Sequence, residues 1–574
     1  MAANCKINLS EVSVAEKDCQ LCALLLRTVK RHYNDEQQNV QIVRERSALK
    51  IGAYGPRILR LCSDLEHSVD NGEGVQISFP ALPEAEGPER FALFRAWLRW
   101  CDESHSCNKN DVETKSALPT RLLYVGDPNP EVLRLYCPKN NDRVEYVALS
   151  HCWGKLTYEN KHQFCTTDDN IEARLKGFSL SELPKTFLDA VRVTRELGIE
   201  YLWIDSLCII QWNQKDWEHE AKRMEGVFAS AYCTIAATSA HDSNAGFLNR
   251  NACSQYVYAQ GALGQRLYVC TDVGDFENDV EKGGLNTRAW ALQERVLSRR
   301  TFHFGANQAY FECGNGVYCE DLTIMESPIA GPYFLLDPNF PHRLLALSDK
   351  RTAKFIHFLC SDYSKRSLTE ETDRCVAISG LEDRIARAIE CRSSYGIFEQ
   401  YIHRNLLWYR DDDNKTKRIE YKTQIVPSWS WMAYNGGINF IGIPFEGMEW
   451  IENLRFDEKD NYALVTDIGA FRSCNLKRRD VLTRRDAIYV DIMDMNQKKR
   501  GMIAYDTGPS EDLHLDQCVV VGRENRKDEQ GLWFRNYFML VVRPTGVDGE
   551  YRRVGVGRIE SDYVVRQRLN VRVV

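Results

Sequence analysis

The run SLSELPKTFLDAVRVTRELGIEYLWID, residues 179–205, decides how this chain folds. Its first part has the period of a helix. Phe187, Val191 and Val193–Thr194 recur near the helical repeat, and Gly198 supplies the stop. Its last part, EYLWID, is short, apolar and ends in Asp205. A strand with one wet face alternates polar and apolar residues. An unbroken apolar run suits a parallel strand covered on both faces. Outward from this unit, RLLYV (121–125) and EYVALSH (145–151) read as strands. DWEHEAKRMEGVFASA (216–231) reads as a helix, and YCTIAAT (232–238) as another buried strand. Strand, helix, strand, helix, strand implies a parallel sheet with right-handed crossovers.

The rest of the chain frames this core. Residues 11–32 read as one helix, with CALLLRTVK as its apolar face, and 35–87 as strands and loops that include VQISFPALP. PERFALFRAWLRWCDES is an amphipathic helix with Phe91, Phe94, Trp97 and Leu98 at helical spacing. RLYVCT, RAWALQERVLS, RTFHFG and AYFEC mix strands with one helix between 257 and 320. Residues 345–410 are mainly helical, RDDDNKTKRIEYK (410–422) is an exposed charged loop, and strands dominate from 427. PSWSW (427–431) reads as a strand with both tryptophans buried. Four regions follow: a mixed helical one (1–117), the α/β core (118–325), a helical one (326–425) and a β-rich C-terminal domain (426–574).

With 44% hydrophobic and 27% charged residues, the 574-residue chain has an ordinary globular composition. Net charge is −7 and no run is strongly basic, which argues against a nucleic-acid partner. No stretch reaches the roughly 18 apolar residues of a membrane span. The start, MAANCKINLS, lacks the apolar core of a secretory signal. The 20 cysteines are therefore expected to be reduced thiols, and the protein cytoplasmic.

In open α/β sheets, ligands bind at the carboxyl ends of the strands. Two such ends are chemically loaded. YVALSHCWG delivers Ser150, His151, Trp153 and Gly154; YLWIDSLCIIQ delivers Asp205, Ser206, Cys208 and Gln211. A plainer reading has Asp205 capping the next helix and Cys208 in the core. Downstream, RAWALQE (288–294) sets Arg288, Trp290 and Glu294 within one short stretch, with Trp290 and Glu294 on one helix face. There the plainer reading is a structural or surface glutamate. One enzyme that can be drawn from these residues, with Cys208 as nucleophile, His151 as base and Asp205 as orienter, is a thiol hydrolase or acyltransferase.

Taken together, YVALSHCWG, LPKTFLDAVRVTRELGIEYLWIDSLCIIQ, DWEHEAKRMEGVFASAYCTIAAT and RAWALQERVLSRRTFHF resemble the fungal heterokaryon incompatibility (HET) domain over roughly 140–315. WLRWCDESHSC, PTRLLYVGD, DRCVAISGL and PSWSW resemble its usual flanks. The departure is His151, where an aromatic residue is more usual. The HET domain is similar to Toll/interleukin-receptor (TIR) domains. The resemblance therefore implies a TIR- or flavodoxin-like, mainly parallel sheet core with helical flanks and the β-rich C-terminal domain. Some TIR domains cleave NAD with a glutamate in a W-x-x-x-E pattern, and WALQE fits it through Trp290 and Glu294.

That resemblance implies a fungal non-self-recognition effector in programmed cell death, hydrolysing NAD through Glu294. Ser150, Trp153, Gly154, Asp205, Cys208, Arg288 and Trp290 would line the substrate. No cofactor is required, and a protein partner or self-assembly would activate it. The chemistry is self-consistent. Nicotinamide leaves as a neutral molecule, so one carboxylate suffices where ordinary glycosidases need two. The alternatives are a non-enzymatic interaction module and an enzyme for another small molecule. Separately, Cys19 and Cys22 (CQLC) with Cys101, His105 and Cys107 (WCDESHSC) are candidate zinc ligands, buried thiols being the alternative.

Overall fold

Gly198 follows the helix Lys185–Glu196 at φ +79°, the left-handed conformation that ends a helix. The apolar run after it becomes the strand Tyr201–Trp203. The computed structural model describes residues 4–30, 39–45, 47–53, 55–63, 76–105, 107, 118–139, 142–250, 255–260, 266–325, 340–341, 344, 346–411, 417–422, 424–478, 489–507, 513–527 and 533–574. Residues 108–117 and 326–339, beside the expected boundaries, and 412–416 of the expected charged loop lie outside these. The chain divides into two units. One is Met1–Asn286 with Glu294–Pro338; the other is Thr287–Gln293 with Asn339–Val574.

The first unit holds a ten-stranded sheet. At its centre Arg300–Phe304, Cys233–Ala236, Val147–Ser150 and Tyr201–Trp203 lie side by side, all parallel. Ile235 registers with Leu149, and Leu202 with Val147. On one side Ala309–Cys313, Gly316–Cys319 and Ile324–Met325 extend the sheet antiparallel. On the other, Leu122–Tyr124, Val132–Tyr136 and Phe178–Ser179 do the same. Six of the nine joints among these strands are antiparallel, which corrects the expected mainly parallel sheet. The reason is connection length. A parallel crossover needs about a dozen residues. Only residues 305–308 separate Arg300–Phe304 from Ala309–Cys313, so that pair has to be a hairpin.

The helix Pro88–Ser104 covers one face of this sheet. Trp97 stacks 5.8 Å from Phe311, and Phe94 lies 5.1 Å from Phe302. Both belong to a core that includes Val147, Leu202 and Ile235. Near the start of the chain the single helix expected over 11–32 is two, Leu9–Ala15 and Gln20–Lys30. They belong with a smaller sheet of Asn4–Asn8, Asn39–Glu45, Ala48–Ile51, Arg57–Ser63, Arg266–Thr271 and Tyr256–Gln260. Of the described residues of VQISFPALP, Gln76–Ile77 are strand and 78–83 are not. The helix expected over 216–231 is likewise two, Gln214–Ala221 and Met224–Ser230.

The second unit contains the helices Asp349–Lys365 and Val376–Ala388 and a separate ten-stranded sheet. Its joints are antiparallel except for a short parallel pairing of Glu550–Glu560 with Val564–Val573. Trp429 and Trp431 are fully buried, but in a turn and a 3-10 helix (Trp431–Ala433) instead of a strand. Among the described residues no helix is long and apolar enough to cross a membrane.

Candidate functional site

The strand Val147–Ser150 hands the chain to the loop 151–154. Gly154 turns it at φ +76°, and a Cβ there would stand 2.2 Å from Cβ of Asp242. Backbone conformation and space both exclude a side chain. The next strand, Tyr201–Trp203, leads into the short helix Asp205–Cys208. One Asp205 oxygen accepts a 2.6 Å bond from the Ser206 N–H, and the other a 2.7 Å bond from the Trp153 indole. His151 Nδ1 stands 3.9 Å from the first of these oxygens. Asp205 thus serves its own helix start and also ties the two strand-end loops together. The Lys161 ammonium lies 5.5 Å from the centre of the Trp153 ring, close enough for a cation–π contact.

Glu294 reaches the same edge from the helix Ala289–Leu297. The Ser150 hydroxyl donates a short hydrogen bond to its carboxylate. Ser298 Oγ donates 2.6 Å to the Glu294 carbonyl, and the Ser298 and Thr234 hydroxyls are 2.7 Å apart. These bonds fix the helix against the strands Val147–Ser150 and Cys233–Ala236. Glu294 is 7% exposed and Ser150 5%. Ser150 faces Glu294 and His151 faces Asp205, so the two carboxylates flank one peptide unit. Two polar groups therefore stand at the carboxyl ends of these strands: the Ser150 hydroxyl with Glu294, and the His151 imidazole and Trp153 indole with Asp205. A carboxylate placed this way can accept bonds from sugar hydroxyls and stabilise adjacent positive charge.

Other expected site residues lie differently. Cys208 is fully buried, and burial pushes its thiol up to about 12. A nucleophile needs the thiolate and access, and this thiol has neither. Arg288 and Trp290 cluster with the second unit. There Arg288 forms a parallel bridge with Ser367, and the Trp290 indole donates 3.4 Å to Asp373. Cys19 and Cys22 neighbour each other at a helix start, where Cys22 N–H donates 3.3 Å to the Cys19 sulfur. Cys101, His105 and Cys107 gather instead with Cys313, absent from the sequence-based set.

A second polar group also escaped the sequence reading. Glu312 is buried between Arg295 (3.2 Å) and His303 (2.7 Å), and Arg295 also grips Glu281 at 2.9 Å. Burial alone would raise the Glu312 carboxyl, but Arg295 and His303 hold it down to about 2. Burial keeps His303 below its usual range despite this partner. Thr301 registers with Glu312, so His303 is the diagonal neighbour on the same face. Hairpin spacing was the signal that could have revealed the pair.

The family model for the heterokaryon incompatibility protein (HET) matches residues 146–294. Residues 146–294 form a HET domain. No curated protein and no solved structure matches the chain. The HET segment begins at Tyr146, heading the strand that carries Ser150, and ends on Glu294 itself. It therefore contains Ser150, His151, Trp153, Asp205 and Glu294. The antiparallel hairpins after Phe304 lie outside it. The HET domain is consistent with a role in heterokaryon incompatibility.

Proposed function

We propose that the chain acts in heterokaryon incompatibility as a cytoplasmic effector whose HET domain hydrolyses NAD at the nicotinamide–ribose bond. The observation that supports this most is the Glu294 carboxylate held on the Ser150 hydroxyl at the carboxyl ends of parallel strands. In the reaction the C–N bond to nicotinamide breaks, and its electron pair neutralises the pyridinium. Water adds to the ribose carbon and a proton goes to solvent, leaving ADP-ribose and nicotinamide. Glu294 would hold ribose hydroxyls and stabilise the oxocarbenium-like charge. Trp153, its indole bonded to Asp205, offers a flat wall at the neighbouring strand end. Activation by a protein partner or by self-assembly completes this reading.

One observation favours a second reading, an interaction module without catalysis. Glu294 and Ser150 are nearly sealed and already bonded to each other, as in a structural pair. Incubating the purified chain with NAD and following nicotinamide release separates the two. The hydrolase reading expects release that grows with enzyme concentration. No release from the chain, alone or assembled with its activating partner, would leave the interaction module.

A further inference from the structure

We propose that Cys101, His105, Cys107 and Cys313 bind one zinc ion that fastens the flanks of the HET segment together. The donor atoms of the four residues all lie within 4.8 Å of one another. A tetrahedral zinc with bonds of about 2.3 Å to sulfur and 2.0 Å to nitrogen spaces its donors about 3.5–3.8 Å apart. Small side-chain rotations close that difference. Three sulfurs and one imidazole are a donor set that tetrahedral zinc favours.

The backbone around the four residues fits this role. Cys101 stands in the last turn of the helix Pro88–Ser104, and His105 caps that helix, its N–H bonded to the Cys101 carbonyl at 3.1 Å. Cys313 ends the strand Ala309–Cys313, and the turn after it aims the Asn315 N–H at the Cys313 sulfur, 3.5 Å away. Backbone N–H donors of this kind stabilise a charged sulfur and are typical outer partners of zinc-bound cysteine. His105 Nδ1 lies 3.5 Å from the same sulfur. Its ring is held edge-on by Trp100 at 4.4 Å, which fixes the nitrogen toward the cluster.

All four residues are buried: Cys101 and Cys313 fully, Cys107 and His105 nearly so. Four protein donors fill a tetrahedral shell and leave no position for a reacting water, so the proposed site is structural in character. In sequence, residues 101–107 precede the HET segment at 146–294 and Cys313 follows it. The ion would clamp a helix from before the domain onto a strand from after it. Binding requires three thiols to release their protons to solvent.

The test uses the full chain purified under reducing conditions from zinc-replete cells. Metal analysis should find about one zinc per chain. Replacing zinc with cobalt should give the absorption of a tetrahedral thiolate complex, including sulfur-to-metal charge transfer. Cys313→Ser should lose the zinc, while Cys137→Ser, at an exposed cysteine outside the cluster, should keep it. If Cys313→Ser does not fold, the cobalt spectrum of the unaltered chain decides alone. A chain without stoichiometric zinc, a cobalt spectrum lacking thiolate character, full zinc retention by folded Cys313→Ser, or a disulfide within the cluster under these conditions overturns the proposal.

Discussion

In the first unit, Val147–Ser150, Tyr201–Trp203, Cys233–Ala236 and Arg300–Phe304 point the same way. In the second, Asn536–Pro544 runs antiparallel to both of its neighbours, Gln517–Glu524 and Glu550–Glu560. The consequence lies at the strand ends. Parallel strands deliver successive carboxyl ends to one edge, so Ser150 and Asp205 arrive together although 55 residues apart. The helix before Arg300–Phe304 runs back along the sheet and brings Glu294 to the same edge. Antiparallel strands send successive ends to opposite edges, and polar residues scatter. The second sheet instead seals an ion pair inside: Arg553, fully buried, is bound to Asp506 at 3.1 Å and to the Leu406 and Trp408 carbonyls.

This contrast is open to breakage, starting with the second unit. Arg553→Leu strands the buried Asp506 charge and should destabilise that unit by about 3–5 kcal/mol, read from denaturant unfolding. Adding Asp506→Leu should recover much of the loss, because the ion pair is then removed as a whole and Asp506 no longer stands without Arg553. A double variant as unstable as the single one would show that the carbonyl contacts dominate.

Within the first unit, Glu312→Gln should cost about 3 kcal/mol, since Arg295 keeps Glu281 as a partner. Acid should reproduce the effect. The folded Glu312 carboxyl is depressed from 4.5 to about 2, so its contribution is complete above the unfolded value and is lost as pH falls through about 2. His303, also depressed below its usual 6.5, acts with the same sign. Unfolding followed from pH 7 downward should show stability falling in this range and less steeply in Glu312→Gln. Equal slopes would remove Glu312 from the account.

The smallest effect belongs to Asp205→Asn. The isosteric amide can keep one hydrogen bond, and the site is a quarter exposed, so about 1 kcal/mol is expected. A loss of several kcal/mol by thermal unfolding would make Asp205 a structural keystone instead of a site residue.

The parallel centre was legible because EYLWID and YCTIAAT are apolar on both faces, which few other environments allow. The antiparallel wings were not, because Leu122–Tyr124 and Ala309–Cys313 carry the same apolar signature; only short connections betray their direction. At the candidate site, each polar cluster was visible locally as YVALSHCWG, YLWID and WALQE. The Ser150–Glu294 bond was not, since 144 residues separate the partners and topology alone brings them together. The metal candidates were legible only in part: Cys101, His105 and Cys107 do gather. Proximity in sequence drew in Cys19 and Cys22, whereas the fold brings Cys313 from a strand end.

The proposed hydrolysis assigns the chemistry of this edge to Glu294, and not merely to a buried carboxylate nearby. Nicotinamide release from NAD by the unaltered chain, Glu294→Gln and Glu312→Gln, each verified as folded, tests it most directly. Gln keeps the shape and the bond from Ser150 but removes the charge. Glu294→Gln should therefore lose about 10²–10³ in turnover, the usual cost of one preorganised electrostatic group. Glu312→Gln should lose stability and keep turnover within a few fold wherever it remains folded. Near-unchanged turnover by folded Glu294→Gln would contradict the claim and leave Glu294 a structural residue.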